Sequence, residues 1–278
     1  MPGTLFLVAT PIGNLADITA RALETLGHVS FVVCEDTRHS RGLLQHHGIS
    51  RELLSMPAFA EKERMGGILA RVEAGEDAAL VTDAGSPGIS DPGEPLVAEA
   101  LARGIPVVPV PGPAALVAAL TASGLPTGRF HFLGFLPRGG PERQQMLEEV
   151  AGLRATLVLY ESPRRVAETL ADLHGAWGDR RACVARELTK RHEEFLRGTL
   201  LELAARCSEK ELLGEVVLVV EGRTGEARWG EAEVRGALEA GLARGEKLKG
   251  LSTDLARQAG WPAQELYRMG LQLKQKPQ

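Results

Sequence analysis

Two stretches of this chain concentrate residues able to do chemistry. TDAGSPGISDPG, Thr82 to Gly93, packs three glycines, two prolines and two aspartates into a dozen residues directly after the apolar run AALV. Glycine lets a main chain approach a ligand closely, and proline stiffens a bend so that less entropy is lost on binding. Asp83, Ser86, Ser90 and Asp91 add side-chain oxygens. Asp83 stands directly at the end of the apolar run and is the better ligand candidate. Asp91 reads as the N-cap of the next helix, with Pro92 at the first helical position. Two more bends, ATPIGNLAD (9–17) and PGPAA (111–115), share this composition. Any one of them alone is a turn with a cap. The three together read as a pocket built largely from main-chain groups.

The second stretch is CEDTRHSR (34–41), which places Glu35, Asp36, Arg38, His39 and Arg41 on one short segment. Carboxylates can take a proton and guanidinium forks match phosphate. The competing reading is ordinary surface charge. ESPRR (161–165) and ARELTKRHEE (185–194) repeat the mixture, and Arg164, Arg165, Arg186, Lys190 and Arg191 could form a cationic wall facing a polyanion. His39, His46 and His47 lack metal-ligand spacing, so no metal is assigned. Neither GxxxxGK[ST] nor a GxGxxG after the first strand is present, which argues against P-loop and Rossmann dinucleotide chemistry.

The elements that must carry these segments alternate. TLFLVAT (4–10), FVVCE (31–35), AALVT (78–82) and IPVVPV (105–110) read as strands; helical stretches at 17–29, 37–47, 62–74, 94–104 and after PGP lie between them. Continuously apolar strands separated by helices predict a parallel sheet buried on both faces. In such sheets ligands sit outside the carboxyl ends of the strands, where all three unusual bends and CEDTRHSR fall. After the linker-like SGLPTGR (123–129), a second series begins, with FHFLGFL, TLVLYES, ACVARELT and EVVLVVEG; its charged hairpin-like segments predict a mixed sheet. From 226 onward the pattern is helical, and LSTDLARQAGWPAQELYRMG has the shape of two helices around a tight turn. The expected domains are 1–122, 123–225 and 226–278.

The totals bound the class. With 278 residues, 44% apolar and 24% charged, the composition is that of a globular protein with room for two α/β domains. The net charge of −4 excludes a globally basic nucleic-acid binder, so any such contact must come from local patches. Cys34, Cys183 and Cys207 are scattered and read as reduced thiols, which fits the cytoplasm. No apolar run is long enough to cross a bilayer, and MPGTLFLVATPIGN reads as a first strand and not a signal.

VATPIGNLADITARAL, CEDTRHSRGLL, TDAGSPGISDPG, VPGPAALVAAL, SGLPTGRFHFLGFLPR, YESPRRVAETL, ARELTKRHEEFLRGTL and GEVVLVVEG together closely resemble the ribosomal RNA small subunit methyltransferase I family of the tetrapyrrole-methylase superfamily. The resemblance runs from about Thr4 to Glu221 in the same order, and the helical tail is similar to the family's small C-terminal domain. It implies two α/β domains with S-adenosylmethionine in the cleft between them, a small all-helical tail and commonly a homodimer. It also implies 2′-O-methylation of a decoding-centre cytidine (cytidine-1402) of 16S rRNA in the assembled small subunit. The cofactor-contacting positions it implies are Pro11, Asp83, Gly85, Ser86, Ile89, Ser90 and Ala114, with Tyr160, Ala185 and Val216 from the second domain. Where the superfamily often has an acid within GDP, this chain has Gly85-Ser86-Pro87, and Asp83 is expected to supply that acid. Glu35 or Asp36 would polarise the acceptor hydroxyl while Arg38 and Arg186 hold flanking phosphates; alternatively, alignment suffices without a base. The tail cations Lys247, Lys249, Arg257, Arg268, Lys274 and Lys276 would touch the ribosomal substrate, or the tail is only a bundle with Leu251, Leu255, Trp261, Leu266 and Tyr267 as its seam. Two other functions fit less well: a tetrapyrrole C-methyltransferase, and a non-catalytic S-adenosylmethionine-sensing RNA-binding protein.

Overall fold

The computed structural model describes residues 1–57, 61–209, 212–224, 229–259 and 261–275. They form two compact units, Met1–Arg223 and Thr224–Gln278.

The first unit holds two five-stranded sheets. The first sheet is all parallel, with strands β1 (Leu5–Val8), β2 (Phe31–Cys34), β3 (Glu52–Ser55), β4 (Ala78–Leu80) and β5 (Val107–Val110) in the order β3-β2-β4-β1-β5. The central strands are wholly apolar because both faces are covered. Ala22 and Leu26 of α1 (Ala20–His28) and Leu44 of α2 (Thr37–His46) pack with Val8, Val32 and Val81 on one side. Ile68, Leu69 and Val72 of α3 (Glu61–Glu73) and Leu96 and Ala100 of α4 (Glu94–Ala102) pack with Leu5, Phe31 and Leu80 on the other. From β1 the chain crosses toward the β2 edge; from β4 it crosses toward β5. These adjacent strands therefore send their connections to opposite faces, and a crevice opens at their carboxyl ends. The predicted helix over 17–29 is split: a 3₁₀ turn at Leu15–Asp17, capped by Asn14, precedes α1, whose N-cap is Thr19.

The second sheet is mixed, as its charged hairpins predict. It comprises β6 (Phe130–Phe135), β7 (Thr156–Glu161), β8 (Arg181–Arg186), β9 (Glu194–Thr199) and β10 (Val216–Val220), in the order β6-β7-β10-β8-β9. Only β6 and β7 run parallel; the other pairs are antiparallel. Helices α6 (Gly140–Val150), α7 (Val166–Trp177) and α8 (Leu200–Glu209) cover one face through Leu147, Leu170, Leu173 and Leu203. The other face is covered by α5 (Ala115–Ala122), the helix that leaves β5. Its Ala119 and Leu120 pack with Val158, Cys183, Val217 and Val219. One helix of the first layer thus roofs the second sheet and brings the PGPAA bend against it.

The second unit is a helical bundle of α9 (Glu231–Ala243), α10 (Leu248–Ala259) and α11 (Ala263–Gln275) around Val234, Leu238, Leu251, Leu255, Leu266 and Met269. Trp261 lies against this seam and its indole Nε1–H donates to the Trp229 carbonyl at 2.7 Å. Tyr267, expected in the seam, is 41% exposed instead, because its neighbour Leu266 takes the inward position of that helical turn. Of the tail cations, Lys276 and the side chains of Arg257 and Lys274 lie outside the described residues.

Candidate functional site

The three bends named from sequence are knitted into one wall. Thr10 N–H donates to the Gly85 carbonyl at 2.8 Å and Gly85 N–H returns a bond to Thr10 O at 3.1 Å. Thr10 Oγ1 also donates to Thr82 O at 3.0 Å. A Cβ on Gly112 would lie 2.9 Å from the Ala9 Cβ, so the β5 bend can lie against the β1 bend only because that position is glycine. Gly85 has φ +85° and Ser90, an L-residue, is held at φ +62°. A left-handed serine costs free energy that the surrounding loop must supply, and such strain clusters at ligand clamps.

Behind this wall lies a cavity of about 340 Å³, within the range that small-molecule sites occupy. The first layer contributes Ile12, Ala84, Gly85, Ser86, Ile89, Ser90, Asp91, Ala114 and Ala115; the second contributes Phe135, Tyr160, Glu161, Ser162, Pro163, Leu188, Gly214, Glu215, Val216 and Val217. Of the positions put forward for the cofactor, Gly85, Ser86, Ile89, Ser90, Ala114, Tyr160 and Val216 line it. Pro11, Asp83 and Ala185 do not: Pro11 and Ala185 are buried, and Asp83 is half-buried next to the lining residue Ala84. Tyr160 ties the layers together, since its hydroxyl accepts from Leu116 N–H at 3.3 Å. Burial pushes that phenol up from its ordinary value.

Asp91 is the principal correction. It does not cap α4. The cap position is Gly93, which offers no side chain, and the proline in the first turn is Pro95. Asp91 instead lines the cavity, and burial, with Glu35 and Asp83 adding like charge, raises its carboxyl to about 6. Neither it nor Asp83 Oδ1, which is buried, has a hydrogen-bond partner among the described residues. Glu161 and Glu215, also in the lining, are engaged. Glu161 accepts from Ser162 N–H at 2.7 Å and Thr169 Oγ1 at 2.6 Å, and Glu215 from Lys190 Nζ at 3.2 Å.

The CEDTRHSR segment sits at the end of β2, beside this wall, and its members divide. Glu35 is half-buried and near enough to Asp91 to raise it. Asp36 caps α2, accepting from Arg38 N–H at 2.8 Å, and its two oxygens take the Arg38 guanidinium at 3.1 and 2.7 Å. That pairing lowers Asp36 to about 2 and leaves it a weak proton acceptor near neutral pH. Arg41 and Arg191 are exposed. The cationic wall is largely neutralised by nearby acids. Arg186 pairs with Glu194 at 2.7 Å, Lys190 with Glu187 at 2.8 Å, and Arg165 with the buried Glu161 at 3.6 Å. Arg164 is exposed and is engaged as well.

The arrangement is therefore an acid-bearing, otherwise mainly apolar and main-chain cavity. It suits a ligand that carries positive charge and hydroxyls beside an apolar body, and it disfavours phosphate. An adenosyl sulfonium has that chemistry: Asp91 stands in the lining with no hydrogen-bond partner among the described residues, and Asp83 is near enough to it to add negative charge. Among the described residues no cluster of three or more metal-ligating side chains occurs, and no helix is long and apolar enough to cross a membrane.

Comparison with known proteins gives a consistent result. The profile of the Tetrapyrrole (Corrin/Porphyrin) Methylases matches residues 4–204. The chain is 46% identical over 275 residues to the ribosomal RNA small subunit methyltransferase I of Synechocystis sp., covering 98% of this chain and 99% of that protein. It is 44% identical over 221 residues to the protein of the same name from Thermotoga maritima, covering 80% of this chain and 99% of that one. Among solved structures, the uroporphyrin-III C-methyl transferase from Thermus thermophilus complexed with S-adenyl homocysteine superposes with a TM-score of 0.59 at 22% identity, over 79% of this chain and 97% of that chain. Diphthine synthase superposes with a TM-score of 0.64 at 16% identity, over 80% and 91%. The structural likenesses show the fold alone.

Proposed function

The chain belongs to the ribosomal RNA small subunit methyltransferase I family of tetrapyrrole methylases, and on that premise we propose that it transfers a methyl group from S-adenosylmethionine to the ribose 2′-oxygen of a decoding-centre cytidine in 16S rRNA of the small ribosomal subunit. The observation that carries this reading is the cavity between the two sheets, with Asp91 in its lining and no hydrogen-bond partner for it among the described residues.

S-adenosylmethionine supplies, when bound, a methyl group on a positively charged sulfur. Little covalent chemistry is then left to the protein, which must hold acceptor oxygen, carbon and sulfur in line and exclude water. The main-chain groups of Gly85, Ala114 and Val216 hold the donor, and the carboxylates of Asp83 and Asp91 offset its positive charge. Asp91 would take the proton of the acceptor 2′-hydroxyl as that oxygen receives the methyl group from the donor sulfur. An acceptor near 6 is anionic at neutral pH yet still basic enough to draw on a hydroxyl, whereas Asp36 near 2 is not. Glu35 raises Asp91 and so tunes this acceptor. Arg38, Arg41, Arg164, Arg165, Arg186, Lys190 and Arg191 remain the proposed contacts to the rRNA backbone, outside the acidic cavity. Their existing ion pairs exchange for phosphate on binding, which makes the interaction salt-dependent.

The experiment supplies labelled S-adenosylmethionine with undermethylated small subunits, naked 16S rRNA and a tetrapyrrole precursor. Label on a cytidine ribose in the subunits is expected. Label in the tetrapyrrole, or none anywhere, overturns the reading.

A further inference from the structure

The feature that the reaction leaves unexplained is Phe135. It lines the cavity, yet 57% of it is exposed, and Ile89, in the same lining but from the first layer, is 42% exposed. Leaving a phenyl ring in water forgoes burial that a folded core would ordinarily claim. The fold also distorts a strand to put the ring there. In β6, Phe132 pairs with Val158, but Phe135, three residues on, pairs with Tyr160, two residues on. One extra residue is inserted, which is a β-bulge. Gly134 takes it up at φ +64°, with its Cα face against Ser90 Oγ, 3.5 Å from where a Cβ would stand.

The geometric consequence is specific. In a regular strand, residues three apart point to opposite faces. Here Phe132 and Phe135 both meet the Tyr160 ring edge-on, with centroids at 4.9 and 5.6 Å. Phe132 is packed into the core beside α5, while Phe135 is carried past the end of that core to the cavity wall. The bulge therefore turns an aromatic ring that alternation would send away from the site into it. Tyr160 braces one edge of the ring and leaves much of the rest accessible.

What meets this ring follows from charge. Asp91, Glu161 and Glu215 line the cavity, and Asp83 adds like charge near Asp91. A strand of RNA cannot present its phosphates to such a wall. The part of a polyanion that is uncharged, flat and apolar on its faces is the nucleobase. Resting on the function proposed above, we propose that Phe135, opposed by Ile89, is the stacking platform for the extruded base of the target nucleotide, placing the attached ribose over the cavity that contains Asp91. Enzymes acting on one nucleotide of a folded RNA must splay it out, and an accessible aromatic ring is the ordinary device for holding it. Stacking on one ring is sequence-tolerant, so Phe135 supplies position and not base identity.

The test compares wild type with Phe135→Ala, Phe135→Leu and Phe135→Trp. Methyl transfer to undermethylated small subunits, S-adenosylmethionine affinity by calorimetry, and mass in solution by light scattering are read for each. The expected result is a roughly 5- to 100-fold loss of kcat/KM for subunits in the alanine variant, with leucine little better and tryptophan near wild type. Donor affinity and mass stay unchanged, because the ring serves the acceptor. Alanine or leucine variants within twofold of wild type in kcat/KM overturn the proposal. So does loss of donor affinity equal to the loss of kcat/KM, which would make Phe135 part of the donor site. A change in mass with unaltered transfer would assign the ring to a contact between copies of the chain and overturns it as well. If the wild type itself fails to label subunits, the function proposed above fails, and that outcome is distinct from these.

Discussion

Replacing Asp91 by asparagine should make the protein more stable and less active, in a manner set by pH. The native carboxyl has been raised to about 6 from an ordinary 3.8 by burial and by Glu35 and Asp83. A raised acid holds its proton more tightly when folded. Its neutral form is present in both states below about pH 4, and the penalty of ionising it in the fold appears as the pH climbs from there and is complete above about 6. The interval between 3.8 and about 6, at about 1.4 kcal/mol per pH unit, is of order 3 kcal/mol, and solvent screening at a partly exposed residue brings this toward 2. Asparagine keeps the shape and removes the charge. At pH 8 the variant should melt about 4–8 °C above wild type, and at pH 4 the two should coincide. Thermal unfolding followed by circular dichroism across pH 4–8 reads this directly. Transfer to small subunits at saturating donor should fall by 100-fold or more, the scale of a lost general base. A variant less stable than wild type at pH 8, or one that transfers at the wild-type rate, would refute the reasoning.

Other consequences are narrower. Gly13→Ala would put a Cβ 2.6 Å from Lys190 Cγ and 2.9 Å from the Leu188 carbonyl. The carbonyl cannot swing aside as a side chain can, so a loss of about 1–3 kcal/mol in denaturant unfolding is expected, along with weaker donor binding. Cys34, Cys183 and Cys207 are buried, and burial raises all three thiols. In the native protein they should resist a thiol-specific chromogenic reagent that titrates all three after unfolding. Truncation after Arg223 removes a unit with its own core. The truncated protein should bind S-adenosylmethionine as wild type does and retain kcat, with a raised KM for subunits if the tail cations touch the substrate.

The legible parts of the chain were those whose surroundings are uniform. β1, β2 and β4 lie under helices on both faces, so their apolar runs announce them. β3 is a four-residue edge strand, half-buried after an exposed Glu52, and neither a run nor an alternation marks it. The glycine-rich bends were found because close approach leaves a compositional trace. Asp91 was misplaced because Asp-Pro-Gly before a helical stretch is what a cap looks like, and only the three-dimensional loop shows that the helix starts at Glu94 from a bare Gly93. Asp36 and Arg38 looked free because a local pair two residues apart is invisible to charge counting. Arg186 meets Glu194 of β9, and Lys190 meets Glu215 just before β10 besides the local Glu187; the pairs with Glu194 and Glu215 are made by strand order. Phe135 went unseen because the bulge breaks the two-residue period on which any reading of β6 depends.

The acid-bearing cavity at the carboxyl edge of the parallel sheet is where the methyl donor is proposed to bind. The most direct test is a calorimetric titration of S-adenosylmethionine into wild type and into Gly85→Val. That residue stands at φ +85° with its Cβ position 3.6 Å from Ile12 Cγ2, so a branched side chain would be both strained and crowded into the wall. The account predicts one site per chain in wild type and a loss of affinity of at least tenfold in the variant. No heat of binding in wild type, or equal affinity in both, would contradict it.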